Sequence, residues 1–320
     1  HDKIFVMGHK NPDADCVGAA LGIYRLSKTL GKSTYIVMDK DCPAIEPIVE
    51  GIYKERAEEE EDIFVTNEEA LLLKDKSAML IVVDVNLPAM TECPELLKSV
   101  STIVVLDHHR QNNETIKNAV VSYVEPYASS TCEMVAEILQ YIVDKPKLKN
   151  IEADAMYSGI LVDTDNFVIK AGVRTFEAAA FLRRAGADVT RVRKMFREDM
   201  EHCRIRTAII NKAEIYMNEF AISTFDGANV SGATVVGAKA ANALLNIQGI
   251  RGSFVLTSLQ DCIYISARSI DELNVQVIME KFNGGGHLTM AAAQLKDVTL
   301  EEAKQQLEDV LQQMREDGDI

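Results

Sequence analysis

A chain of 320 residues has room for two domains, each with its own core. Hydrophobic residues at 47% and charged residues at 26% exclude a disordered chain, and no apolar run reaches the length of a membrane-spanning helix. The net charge of −15, from 49 acidic and 34 basic residues, weighs against long nucleic acid and anionic membrane as partners.

The apolar run 4–7 predicts a buried strand ending at residue 8, followed by a turn and a helix over 15–30. Strands over 34–39, 79–84, 102–107 and 119–124 alternate with helical patterns at 45–55, 67–73, 131–143 and 151–162. Continuous apolar strands separated by helices imply a parallel sheet covered on both faces. The acidic run 55–62 reads as a solvated helix end or loop. Thr175 is placed to cap a helix over 176–185, and 189–216 is charged and helical. Strands are expected at 219–225, 232–237, 253–258 and 262–268, with helices at 238–246, 272–282 and 299–315. The fold class is α/β. A parallel-sheet domain over 1–188 is joined by a helical linker, 189–206, to a smaller mixed α/β domain over 207–320. Six scattered cysteines without a Cys-x-x-Cys pair fit reduced thiols in a cytosolic protein.

Four apolar segments end in His or Asp: His9/Asp13/Asp15, Asp84, Asp107-His108-His109-Arg110, and Asp163-Thr164-Asp165-Asn166. One such Asp is ordinary, because Asp caps helices and turns. Four on one edge of a parallel sheet bring like charges together, which is costly unless cations sit among them. Imidazoles with carboxylates and no thiolate favour manganese, with cobalt, iron or magnesium behind it and zinc less suited. The ligands are too many for one ion. Two ions about 3.5–4 Å apart, bridged by a carboxylate and a water, suit hydrolysis of a phosphate bond. Adjacent imidazoles on an extended segment point opposite ways, so of His108 and His109 one is a ligand and the other faces substrate. Asp107 can orient an imidazole. Cys16 starts a helix beside this turn and reads as packing. In the second domain, Gly284-Gly285-Gly286 lets backbone amides approach an anion, and Arg268 offers phosphate a bidentate fork.

In order and spacing, His9-x-x-x-Asp13-x-Asp15, Asp84, Asp107-His108-His109 and Asp163 resemble the metal motifs of the DHH phosphoesterase superfamily. Ser266-Ala267-Arg268-Ser269 and Gly284-Gly285-Gly286-His287 resemble the glycine-rich part of its DHHA1 substrate domain. Gly8-His9-Lys10-Asn11-Pro12-Asp13, Asp163-Thr164-Asp165-Asn166-Phe167 and Asn274-Val275-Gln276-Val277-Ile278-Met279-Glu280 are most similar to the catalytic region of GdpP-type cyclic-di-AMP phosphodiesterases. The resemblance implies two Mn²⁺ ions. His9, Asp13 and Asp84 would hold one, and Asp15, Asp84, His108 and Asp163 the other, with Asp84 bridging and His109 on the scissile phosphate. It implies substrate contacts from Arg268, Ser269, Gly284, Gly285, Gly286 and His287. It also implies a homodimer, and a place on the cytoplasmic side of the membrane as a fragment of a longer protein.

The expected activity is hydrolysis of cyclic-di-AMP to linear 5′-pApA by a hydroxide activated between two metal ions. One rival is a nano-RNase or exonuclease on the same scaffold, acting on short linear nucleotides such as pApA. An inorganic pyrophosphatase ranks below it, and a non-catalytic dinucleotide sensor would be expected to lack metal ligands, of which none is missing.

Overall fold

The computed structural model describes residues 1–55, 62–111, 113–142, 147–270, 273–286 and 288–320. Most of the acidic run 55–62, the start of the expected 272–282 helix, residue 143 and His287 lie outside the described residues.

Strand β1 (Lys3–Met7) shows why a parallel sheet forms. Ile4 and Val6 enter the core on one face, and Phe5 and Met7 enter the core on the other. A strand buried on both faces has to be apolar throughout. The first unit, His1–Arg197, continues with α1 (Ala14–Thr29), β2 (Ser33–Val37), α2 (Glu46–Glu55), β3 (Phe64–Val65) and α3 (Asn67–Leu73). Next come β4 (Met79–Val83), α4 (Pro94–Ser99), β5 (Thr102–Asp107) and β6 (Val121–Val124). Helices α5 (Thr131–Ile142), α6 (Asn150–Asp163), α7 (Val173–Ala185) and α8 (Val189–Met195) complete it. The strand order is β3-β2-β1-β4-β5-β6, and every pairing is parallel. The order reverses between β1 and β4, and a crevice opens at the carboxyl ends of such a pair. His9 follows β1 and Asp84 follows β4, so the candidate ligands straddle this switch point.

Helix α1 packs on α6 at very short range, which small residues allow. A Cβ on Gly18 would lie 2.7 Å from the Ala155 carbonyl oxygen and 2.9 Å from Met156 Cα. One on Gly159 would lie 2.8 Å from both Cα and Oδ1 of Asp15.

The second unit, Glu198–Ile320, holds α9 (Met200–Asn211), β7 (Glu214–Tyr216), β8 (Phe220–Asp226), α10 (Ala233–Leu244), β9 (Gly252–Leu259) and β10 (Cys262–Ser269). It ends with α11 (Val275–Glu280), β11 (Gly285–Gly286), β12 (Met290–Lys296) and α12 (Leu300–Asp317). Its sheet runs β11-β12-β10-β9-β8-β7 and is mixed, with only β8 and β9 parallel.

Four expectations change. Residues 232–237 are not a strand but the start of α10, whose buried Ala233, Val236, Gly237, Ala240, Ala241 and Leu244 recur at helical spacing. Twelve residues of that period outweigh the short β-branched pair Val235-Val236. The expected single helix 189–216 divides into α8, which packs on α6, and α9, which packs on α10. Residues 189–206 therefore split between the two units rather than forming a separate segment. Thr175 lies inside α7, where its hydroxyl accepts from the Gly172 amide at 3.0 Å. Among the described residues no helix is long and apolar enough to cross a membrane.

Candidate metal centre

The turn after β1 is shaped by Gly8, where a Cβ would strike the Cys16 sulfur. His9 Nδ1 donates to the Lys10 carbonyl at 2.8 Å, which leaves Nε2 to face carboxylates. Nε2 lies 3.4 Å from Asp84 Oδ2 and 3.8 Å from Asp13 Oδ1. Asp13 also caps α1, accepting from the Asp15 and Cys16 amides at 3.0 Å each.

Asp84 leaves β4 in the left-handed region, φ 60°, and is buried. For a residue other than glycine this conformation is uncommon and concentrates at functional positions. It sets the carboxylate among the imidazoles: Oδ2 faces His9, while Oδ1 is 3.6 Å from His108 Nε2 and 3.7 Å from His109 Nδ1. Adjacent His108 and His109 were expected to diverge, but β5 ends at Asp107 and strand alternation stops there. Their ring centroids are 4.4 Å apart and both reach Asp84. Asp107 takes the orienting role: it accepts from the His109 amide at 3.1 Å and from His109 Nδ1 at 2.8 Å, and is itself held by Asn86.

Asp163 closes the expected 151–162 helix as the last residue of α6, a helix end rather than one of four positions on the sheet edge. A carboxylate at a helix C-terminus faces the negative end of the helix dipole, which adds to the demand for a cation. Its Oδ2 lies 3.1 Å from His108 Nε2, and Asp15 Oδ2 lies 3.9 Å from the same nitrogen. That nitrogen is buried and has no hydrogen-bond partner. An orphaned imidazole nitrogen ringed by three carboxylates is a donor set that fits a divalent ion.

Among the described residues, three groups of candidate ligand atoms lie within 4.8 Å of one another: His9/Cys16/Asp84, Asp84/His108/His109 and Asp15/His108/Asp163. Asp84 and His108 each belong to two, so these groups are placed to hold metal and share ligands. Cys16 comes closer to the centre than the sequence indicates. Burial, and then the charge of Asp84, push its thiol well above the ordinary range, which keeps it neutral and packed.

Without ions the imidazoles take up the charge. Burial opposes protonation of His9, but Asp13 and Asp84 outweigh it and hold its pKa at about 11. For His108 burial is likewise overcome, by Asp163, Asp15 and Asp84, giving about 10. Burial, then the charge of Asp163, push Asp15 up to about 6. Burial and Asp15 raise Asp84 well above the carboxylate range, whereas His9 overcomes the burial of Asp13 and holds it below.

In the second unit, Arg268 lies on β10 opposite Met290, with Nε donating to Asn242 Oδ1 at 2.7 Å. Ser269 is buried, and its hydroxyl faces the carbonyls of Leu273 and Leu288 at 2.7 and 3.2 Å. It ties that segment down instead of facing solvent. The Gly284 amide is spent on the Met279 carbonyl at 2.9 Å, and a Cβ there would strike the Ala292 carbonyl oxygen. Gly286, at φ 150°, would strike that of Met290. Two of the three glycines are thus required by the close approach of β11 to β12, and Gly285 has open space.

Residues 3–160 match the model of the DHH family, N-terminal domain, and residues 221–316 match the DHHA1 domain. The chain is 42% identical over 309 residues to the cyclic-di-AMP phosphodiesterase PdeA of Listeria monocytogenes serotype 1/2a (strain 10403S), covering 96% of this chain and 47% of that protein. It is 41% identical over 323 residues to the cyclic-di-AMP phosphodiesterase GdpP of Geobacillus thermodenitrificans (strain NG80-2), covering 99% and 48%. A solved exopolyphosphatase-related protein from Bacteroides fragilis shares the fold, with a TM-score of 0.80 at 19% identity over 98% of this chain and 92% of that one. The chain spans about half the length of the curated relatives it matches.

Proposed function

The chain belongs to the DHH/DHHA1 phosphoesterase superfamily, and on that premise we propose that it hydrolyses cyclic-di-AMP to linear 5′-pApA. The observation that carries the reading is the Asp84 carboxylate, whose Oδ2 faces His9 and whose Oδ1 faces His108 and His109. The two curated relatives, alike over nearly the whole chain, supply the substrate class.

His9, Asp13 and Asp84 would hold one divalent ion, and Asp15, Asp84, His108 and Asp163 the other. Mn²⁺ suits this mixed nitrogen and oxygen set. Bound there, the pair would supply a water of lowered pKa and offset the charge developing on phosphorus. His109, with Nδ1 fixed on Asp107, would contact the scissile phosphate. Asp84 keeps the two halves of the centre in register. Water adds to phosphorus, the bond to the 3′ oxygen breaks, and that oxygen leaves with a proton.

The division of labour proposed is metal chemistry in the first unit and substrate recognition in the second, with the boundary falling inside 189–206. Arg268, Ser269, Gly284, Gly285, Gly286 and His287 are the proposed recognition residues; Ser269, Gly284 and Gly286 also serve the local fold, as does Arg268 through Asn242. A homodimer, within a longer protein whose catalytic part faces the cytoplasm, completes the reading.

The test is incubation with cyclic-di-AMP and Mn²⁺, with products followed by ion-exchange chromatography. Linear pApA is expected, and it should be lost on chelation and in Asp84→Ala. Absence of any linear product would overturn the proposal. Turnover of pApA to mononucleotide at a higher kcat/KM than cyclic-di-AMP would favour the oligoribonuclease reading.

A further inference from the structure

Thr131 touches two of the candidate ligands at once. It is the first residue of α5 and fully buried. Its hydroxyl donates to Asp84 Oδ1 at 3.0 Å, and its backbone amide donates to Asp15 Oδ2 at 2.7 Å. The next amide, of Cys132, donates to Asp15 Oδ1 at 2.9 Å. One turn of helix therefore grips both oxygens of one carboxylate and one oxygen of another.

The physical need is evident from the charges. Asp15 and Asp84 are both buried, and a buried carboxylate needs hydrogen-bond donors facing it. Amides at the start of a helix of twelve residues supply such donors and the favourable end of the dipole. Orientation matters as much as charge. The Asp84 backbone is fixed at φ 60°, but its carboxylate still has freedom to rotate. The Thr131 hydroxyl removes that freedom by holding Oδ1, so that Oδ2 turns to His9.

The helix start is itself anchored. Ser130 Oγ accepts from the Glu133 amide at 3.0 Å, closing the first turn. The buried Glu133 carboxylate accepts from the Ser129 hydroxyl at 2.5 Å and from the Thr175 hydroxyl, on α7, at 2.6 Å. Thr131 thus cannot drift without disturbing two helices.

We propose that Thr131 is a positioning residue for the dinuclear centre: its hydroxyl sets the plane of the bridging Asp84 carboxylate while its amide, with that of Cys132, fixes Asp15. The two half-sites are then in register before any ion arrives. The inference rests on the metal-centre reading above.

The test compares Thr131→Val, which keeps the shape and loses the donor, with Thr131→Ser, which keeps the donor. Metal-free full-length proteins are titrated with Mn²⁺ by calorimetry and with Co²⁺ by visible absorption. The unaltered protein is expected to take up two ions. Thr131→Val should bind the second at least about tenfold more weakly, the range found when a partner of a metal ligand is removed. Its Co²⁺ spectrum should change, and Thr131→Ser should restore both. Thermal melting of the metal-free variants shows whether the fold is kept; if Thr131→Val does not fold, Thr131→Ala makes the same comparison with Thr131→Ser. Two equally tight ions in Thr131→Val would overturn the proposal, as would a Thr131→Ser as weak as the donorless variant. If the unaltered protein binds fewer than two ions, the dinuclear reading fails first, and this inference with it.

Discussion

At the scale of single residues, the centre is a problem in charge neutralisation. Asp13, Asp15, Asp84 and Asp163 approach His9 and His108 within 3.9 Å, and the imidazoles hold protons to pKa values of about 11 and about 10. Each proton stands where a divalent ion needs a free lone pair, so metal and proton compete for the same nitrogen. The sign follows directly. At neutral pH the ion-free imidazoles are charged, uptake of ions must expel their protons, and apparent affinity falls as pH falls. Titration of the metal-free protein with Mn²⁺ near pH 7, in buffers of different ionisation enthalpy, should show release of protons, those of the two imidazoles among them. Heats that do not depend on the buffer would refute the protonated ion-free state. This gathering of carboxylates and imidazoles was largely legible in the sequence, because its residues lie in short motifs, each closing an apolar segment. Thr131 was not legible. It meets Asp84 across 47 positions and Asp15 across 116, and its only local signal is the Ser129-Ser130-Thr131 run before a helix, common to any capped start.

At the scale of elements, the site depends on how closely α1 approaches α6. Alanine normally improves a helix over glycine by up to about 1 kcal/mol. At Gly18 and Gly159 that gain is outweighed, because the added carbon meets backbone atoms that cannot turn aside. Overpacking of this kind costs about 1–3 kcal/mol, so each alanine variant should lose about 1–2 kcal/mol in urea unfolding. Gly22→Ala should lose less, since its new contacts are the Val135 side chain and the mobile end of Met156. The sites also separate by function. Gly159→Ala presses on Asp15 itself and should weaken metal binding more than Gly18→Ala does; equal metal affinities in the two would argue against this coupling. Of the fold, the first sheet was legible because strands buried on both faces are apolar without interruption. Helix α10 was misread because Val235-Val236 mimics a strand until the later alanines reveal the period. The backbone at 165–167 was not legible either. Asp165, Asn166 and Phe167 all have positive φ, at 44°, 60° and 67°, and only the first two belong to types that tolerate it well.

At the scale of the whole molecule, the described cores do not mix. One sheet of the first unit is flanked by two apolar clusters whose residues all lie before Arg197, and both clusters of the second unit lie after Glu198. Units with separate cores can unfold separately. Every candidate metal ligand, from His9 to Asp163, belongs to the first unit. Divalent ions should therefore stabilise one transition and leave the other in place. At a free ion concentration 100 times Kd, the stabilisation is about 2.7 kcal/mol. For a unit of this size each kcal/mol raises the midpoint by about 2–4 °C, which makes the expected rise roughly 5–10 °C. Scanning calorimetry with Mn²⁺ and with a chelator should show two transitions, only one of which moves. The Asp84→Ala protein should show both transitions and no such shift. A single cooperative transition, or two that rise together with Mn²⁺, would mean that the units share their stability and that the metal is not the property of the first alone. If the two do separate, adding cyclic-di-AMP to Asp84→Ala becomes informative: a rise confined to the second transition would assign recognition to residues 198–320 without any turnover to obscure it.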